Sequence, residues 1–265
     1  MLKTVLKQWA YASAPRLAAE FFSARARAHS QRFVAGIGCV RVNEALIARF
    51  GDAVVAGPFR GLKLSPMTHA EQIGPVLLGL YESELFPAWE VVFARRFPQI
   101  IDVGSKYGYY AVGLARRFPE SRVVAFDTDR WARRATREMA DANGASNVEI
   151  LSYCDPRWLD EHLEPGSLIV SDCEGYENSL FCSLPVPNLA TATLVIETHD
   201  CFAPGTTARL GARLAATHDV ALIASEPSGR APEVDVGFLN ERDRGLATRE
   251  LRQEQEWMLA TPKMN

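Results

Sequence analysis

Ile100-Ile101-Asp102-Val103-Gly104-Ser105-Lys106-Tyr107-Gly108-Tyr109-Tyr110 reads as a buried strand, a tight glycine turn and the start of a helix. Glycine has no Cβ, so backbone can approach a bound molecule closely at such a turn. The helix that follows opens with N–H groups that have no partner inside the helix. The next apolar run, Val123-Val124-Ala125-Phe126, ends in Asp127, about 25 residues beyond Asp102. Strand, turn, helix, strand and acid, in that order, predict a nucleotide pocket at the carboxyl ends of parallel strands.

Outward from this turn the pattern alternates. Apolar, strand-like runs fall at 99–103, 122–126, 147–152, 167–171, 192–197 and 220–225, with helical patterns at 109–118, 130–143, 177–182 and 206–217. The link 152–166 has room for one short helix. Alternating strands and helices predict a parallel sheet covered on both faces, which agrees with strands that carry few internal polar residues. Residues 225–236 are rich in Pro, Gly and Ser and read as a loop; 242–253 is polar and helical. Trp257-Met258-Leu259 is expected as a last strand, giving an antiparallel edge if it inserts beside 220–225.

The part before the sheet differs. Residues 2–29 read as helical with an interruption near Pro15. Residues 53–64 suggest two short strands around Gly57-Pro58 and Gly61, and 69–96 suggests two helices broken near Gly74-Pro75 and Pro87. The expected division is an extension over 1–95 and a sheet domain over 96–265. Residues 65–95 are expected to form a lid or flank, because segments before the sheet can cross strand ends. Phe86, Trp89 and Phe93 have the spacing of a packed helix face.

Bulk properties bound the function. The chain has 265 residues, 48% apolar and 23% charged, as expected for a globular protein with a sizeable core. Its net charge of −3 argues against broad electrostatic binding of nucleic acid. Five scattered cysteines, never spaced as CxxC, predict reduced thiols rather than a disulfide framework or zinc site, and a cytoplasmic setting is expected. No apolar run is long enough for a membrane span. Residues 1–32 carry six Lys and Arg against Glu20 alone, which suits a transit peptide or a surface-binding helix but reads first as a basic amphipathic helix packed on the main domain. The oligomeric state stays open, a homo-oligomer included.

The turn lacks the close-spaced glycine of a G-x-G-x-x-G dinucleotide fingerprint and the GK[ST] of a P-loop. Its D-x-G-x-x-x-G form resembles motif I of class I S-adenosylmethionine-dependent methyltransferases. That resemblance implies S-adenosylmethionine as cofactor and a Rossmann-like, mainly parallel seven-stranded sheet. It implies a loop of Asp102, Gly104, Ser105 and Gly108 along the methionine part. Asp127 then meets the ribose hydroxyls, and Asp155, after the third strand, contacts the adenine.

A second block, Ser171-Asp172-Cys173-Glu174-Gly175-Tyr176-Glu177, closes the fourth strand with three carboxylates. Together with D-V-G-x-x-x-G-Y-Y it is similar to the FkbM-type branch, over about residues 99–200. The chain departs from that branch at Ser171, where lysine is common, and at Asp127, where glutamate is common. Members of the branch methylate hydroxyls of sugars or natural-product scaffolds, so the resemblance implies a small-molecule oxygen acceptor.

A hydroxyl is a poor nucleophile, so a general base is expected. His199, after the fifth strand, is the candidate base, with Asp172, Glu174 or Glu197 orienting it or the acceptor. Glu174 and Glu177 equally suit acids at a helix start. Asp172, Glu174, His199 and Asp200 could also ligate Mg²⁺ or Mn²⁺, but no tight ligand spacing supports a metal. Two other functions stay open: a nicotinamide-dependent oxidoreductase, which the incomplete fingerprint disfavours, and a non-catalytic binding domain. Base methylation of nucleic acid ranks low, because no Asn-Pro-Pro-Tyr-like element follows strand four.

Overall fold

The computed structural model describes residues 13–226, 230–252 and 255–263. Its centre is a seven-stranded sheet in the order β3-β2-β1-β4-β5-β7-β6. The strands are β1 (Gln99–Val103), β2 (Arg122–Phe126), β3 (Val148–Leu151), β4 (Leu168–Ser171), β5 (Thr193–Thr198), β6 (His218–Ala224) and β7 (Glu256–Pro262). The first five in spatial order are parallel; β7 runs antiparallel to both neighbours. The chain builds outward from β1 to β3 and then returns to place β4 on the other side of β1. In such sheets ligands usually bind at the carboxyl ends of the strands where the order reverses, here β1 and β4.

The helices are α1 (Pro15–Ile37), α2 (Cys39–Phe50), α3 (Gly74–Leu77), α4 (Phe86–Phe93), α5 (Tyr109–Arg117), α6 (Arg130–Ala142), α7 (Pro156–His162), α8 (Glu177–Cys182), α9 (Thr206–Leu214) and α10 (Glu241–Thr248). Alternate β1 side chains enter opposite cores. Ile100 shares one with Leu77, Leu85, Trp89 and Val112; Ile101 joins Phe126, Ile169, Phe181 and Leu194 in the other. Each large apolar side chain buried this way contributes roughly 1.5–3 kcal/mol. Phe86, Trp89 and Phe93 behave as their spacing suggests: Trp89 is buried and stacks on Phe93.

The last strand pairs antiparallel with β6, as expected, and inserts between β6 and β5. Trp257, Met258 and Ala260 are fully buried, so both faces of β7 are apolar and only a central position covers them. Residues 53–64 make a single antiparallel bridge, Ala53 to Lys63, instead of two strands. Gly57 and Gly61 both have positive φ and reverse the chain too quickly for a ladder. Helix α2 has no counterpart in the sequence reading; Gly38, at φ +98°, ends α1 and lets α2 set off with Val42 and Leu46 buried.

The helical reading of residues 2–12 falls outside the described residues, as do 253–254 beyond α10. The interruption expected near Pro15 is present: Ser13 is helical, Ala14 is not, and Pro15 begins α1, where a first-turn N–H has no partner to lose. Helix α1 packs across the loop after β2. Arg27 Nε donates to Asp129 at 2.5 Å, and its guanidinium lies 5.1 Å from the Trp131 ring. All five cysteines are unpaired. No described helix is long and apolar enough to cross a membrane.

Candidate functional site

The turn after β1 is held by backbone. The Gly104 and Ser105 N–H groups both donate to the Phe126 carbonyl at 2.9 Å, tying the turn to the end of β2. Gly104 has φ +94°, and a Cβ there would lie 1.7 Å from the Asp172 carbonyl oxygen. Only glycine lets the loops after β1 and β4 come this close. Gly108, at φ +90°, packs on Thr136 of α6, where a Cβ would meet the methyl at 2.9 Å. Ser105 is buried, its hydroxyl 3.4 Å from the Thr136 hydroxyl.

Asp127 locks the turn from the side. Its Oδ2 accepts the Lys106 N–H and its Oδ1 the Asp129 N–H, each at 2.8 Å. Burial pushes its carboxyl up to about 6, against the pull of those two N–H groups. Asp155 caps α7 through the Trp158 N–H at 2.9 Å, and Arg16 of α1 stands 3.6 Å from it.

Asp102 is 2% exposed, and its Oδ2 has no partner. Burial pushes its carboxyl up to about 8, opposed by the Ala111 N–H and aided by the charges of Asp172 and Asp127. An unfolded aspartate titrates near ~3.9. Because the folded value is higher, the group's contribution to stability is fully present below about pH 4 and is lost as pH rises toward about 8. Asp102→Asn removes that loss. Thermal melts of the ligand-free protein should show the variant gaining several degrees on the wild type between about pH 5 and about pH 8. A difference independent of pH would contradict this role for Asp102.

The block after β4 turns sharply. Glu174 (φ +54°) and Gly175 (φ +96°) both adopt left-handed backbone. A non-glycine residue there is strained by about 1 kcal/mol or more, a strain found often at functional positions. The turn sends Asp172 and Glu174 toward His199 at the end of β5. His199 is 1% exposed. Its Nδ1 bonds Glu177 Oε1 at 2.6 Å, and Glu177 is itself fully buried. Around Nε2 stand Asp172 Oδ1 at 3.5 Å, Glu197 Oε2 at 3.5 Å and Glu174 Oε2 at 3.7 Å. Burial lowers the imidazole pKa, but the Glu177 hydrogen bond and the charges of Asp172, Glu177 and Glu174 outweigh it, and the net shift is upward.

The structure therefore brings Asp172, Glu174, Glu197 and His199 together and gives Glu177 the orienting role. Asp200 stands apart: its oxygens accept N–H groups of Gly205 (2.6 Å) and Thr207 (3.0 Å) at the start of α9.

Sequence reasoning missed the wall behind this cluster. Arg252 pairs with Glu84, with Glu197 at 3.0 Å and with Glu250 at 2.8 Å. Glu82 is buried and accepts the Tyr110 hydroxyl. Burial, then the charges of Asp172 and Glu82, push Glu197 well above the usual carboxylate range, with Arg252 pulling it back. Glu84 in a pre-sheet turn and Arg252 after α10 are far apart in sequence; nothing local marks them as partners.

No family model matches this chain. Over 85 residues, 32% of its length, it is 34% identical to a tRNA (guanine-N(7)-)-methyltransferase of Myxococcus xanthus (strain DK1622); the match spans 41% of that relative. An O-methyltransferase from Bacillus cereus in complex with SAH superposes with a TM-score of 0.45 at 15% identity, over 88% of this chain and 96% of that one. A putative O-methyltransferase from Klebsiella pneumoniae gives a TM-score of 0.50 at 12% identity, over 84% of this chain and 97% of that one. With the strand order above, this last likeness places the chain in the Rossmann-like class I methyltransferase fold.

Proposed function

We propose that this chain is an S-adenosylmethionine-dependent methyltransferase of the FkbM-like branch that methylates a hydroxyl of a small molecule, a sugar or natural-product scaffold. One observation carries the reading: Asp172 belongs to two sites at once. Its carbonyl lies against Gly104 in the cofactor turn, and its carboxyl faces His199. A donor along the turn and an acceptor at the cluster are thus neighbours, which is the main requirement of a group transfer.

The residues suit the cofactor. The unpartnered, buried Oδ2 of Asp102 fits an ammonium group, and Gly104 and Gly108 let the turn pack directly on the Asp172 carbonyl and on Thr136. Asp127, fixed by two N–H groups, is assigned to the ribose, and Asp155 to the adenine side. When bound, S-adenosylmethionine supplies a methyl group on a positively charged sulfur that leaves as a neutral thioether. The cluster of Asp172, Glu174 and His199 binds the acceptor hydroxyl and favours loss of its proton. Residues 65–95 flank this pocket through Glu82 and Glu84. A reducing, cytoplasmic setting suits the five unpaired thiols.

A second reading has nucleic acid as the acceptor. The acidic net charge had set this class aside; the stretch 34% identical to a tRNA methyltransferase returns it to consideration. Incubation with S-[methyl-³H]-adenosylmethionine, a hydroxyl-rich metabolite extract and total tRNA separates the two. Label is expected in base-stable ethers of small molecules. Label confined to tRNA would favour the second reading, and label in neither pool would count against both.

A further inference from the structure

We propose that Asp172, Glu174 and His199 hold a divalent cation, Mg²⁺ or Mn²⁺, beside the cofactor turn. The role of such an ion rests on the methyl-transfer reading; its binding does not.

His199 supplies the first ligand. Hydrogen bonding of Nδ1 to the buried Glu177 fixes the ring and, in the neutral tautomer, turns a lone pair at Nε2 toward the acids. Nε2 is buried without a hydrogen-bond partner, and so is Asp172 Oδ1. Three carboxylate oxygens surround Nε2 at 3.5–3.7 Å. Hydrogen bonds run at about 2.7–3.2 Å, so this spacing is too wide for them. Ligand atoms bonded to one ion at about 2.1 Å lie roughly 3.0 Å apart at a right angle and roughly 3.6 Å apart at 120°. The observed separations stand at the wide end of that interval. Ligand atoms of Asp172, Glu174 and His199 all lie within 4.8 Å of one another.

Charge points the same way. Glu82, Glu84, Glu197 and Glu250 stand behind the cluster with Arg252 between them. A dication relieves that excess of carboxylates. Two carboxylates and one imidazole form a hard to borderline donor set that suits Mg²⁺ and Mn²⁺, and a buried glutamate on the far ring nitrogen is the usual support for a ligating histidine. Glu174, strained in left-handed backbone and open to solvent, closes the site from outside. The imidazole is then a ligand, and the ion fixes the acceptor oxygen.

The test is titration of the purified chain with Mn²⁺, reading free Mn²⁺ by electron paramagnetic resonance, with S-adenosylmethionine calorimetry on the same sample. One ion per chain is expected, displaced by excess Mg²⁺. Asp172→Asn and His199→Gln should each weaken uptake at least tenfold, while Glu149→Gln on distant β3 leaves it unchanged. Cofactor heat retained by the variants shows that they fold. Cofactor heat without Mn²⁺ uptake overturns the ion and leaves the methyl-transfer reading standing. Equal loss in Glu149→Gln and Asp172→Asn, the mark of diffuse surface binding, also overturns it. Mn²⁺ uptake without cofactor heat supports the ion and removes the cofactor reading.

Discussion

Gly104→Ala should abolish cofactor binding and lower stability by on the order of 3–5 kcal/mol, about 6–10 °C in Tm for a chain of this size. The added Cβ would sit 1.7 Å from the Asp172 carbonyl oxygen, and a backbone atom held in the β4 loop cannot rotate away. The residue would also have to keep φ +94°. That conformation alone costs about 1–2 kcal/mol. Gly144→Ala isolates the two effects: Gly144 has φ +63°, but a Cβ added there would meet nothing within 4 Å. It should lose only about 1 kcal/mol. Differential scanning calorimetry of both variants, with and without cofactor, checks the contrast. Equal losses would mean that the close approach of the β1 and β4 loops is not what Gly104 provides.

His199→Gln should lower turnover by about 10²–10⁴, the range of a lost proton-handling group. Cofactor affinity should stay within about threefold, since the residues assigned to the cofactor lie at the ends of β1 and β2 and in the turns after β1, β2 and β3. Glutamine is preferred to alanine because it can still donate to Glu177; a bare cavity would leave that buried carboxylate with the Gly175 N–H as its remaining donor, a cost of about 1–3 kcal/mol. The upward shift of the imidazole also sets a pH dependence. Protonated His199 neither takes a proton nor ligates a cation, so activity should fall as pH drops through a value above the ordinary ~6.5. Steady-state kinetics beside calorimetry separate turnover from binding. Unchanged turnover in His199→Gln and in Glu174→Gln together would remove the cluster from the chemistry.

Much of this arrangement is legible in the chain because it is local. The run from Ile100 to Val103 is apolar enough to be buried on both faces, and Gly104 marks the only kind of residue the following turn accepts. The fourth-strand block announces itself by placing acids directly after Leu168-Ile169-Val170. What escapes is what folding joins from afar. Glu177 looks like an acid at a helix start, yet it is buried and grips His199, because the turn at Glu174 and Gly175 folds α8 back onto β5. Arg252 follows a polar helix and gives no local hint of Glu84 and Glu197. Asp200 looks like a ligand by proximity in sequence but spends its oxygens on the α9 start. β7 could be recognised as a strand from its apolar residues; its central position depends on both of its faces being covered, which a three-residue motif does not reveal.

The central claim is that the Gly104 turn and Asp127 together hold S-adenosylmethionine. Isothermal titration of the purified chain with S-adenosylmethionine, S-adenosylhomocysteine, NAD and NADP tests it most directly. Saturable heat is predicted with the two adenosyl-sulfur compounds, lost in Asp127→Ala, and none with the nicotinamide nucleotides. Folded protein that gives no heat with either adenosyl compound, or that binds NAD instead, would contradict it.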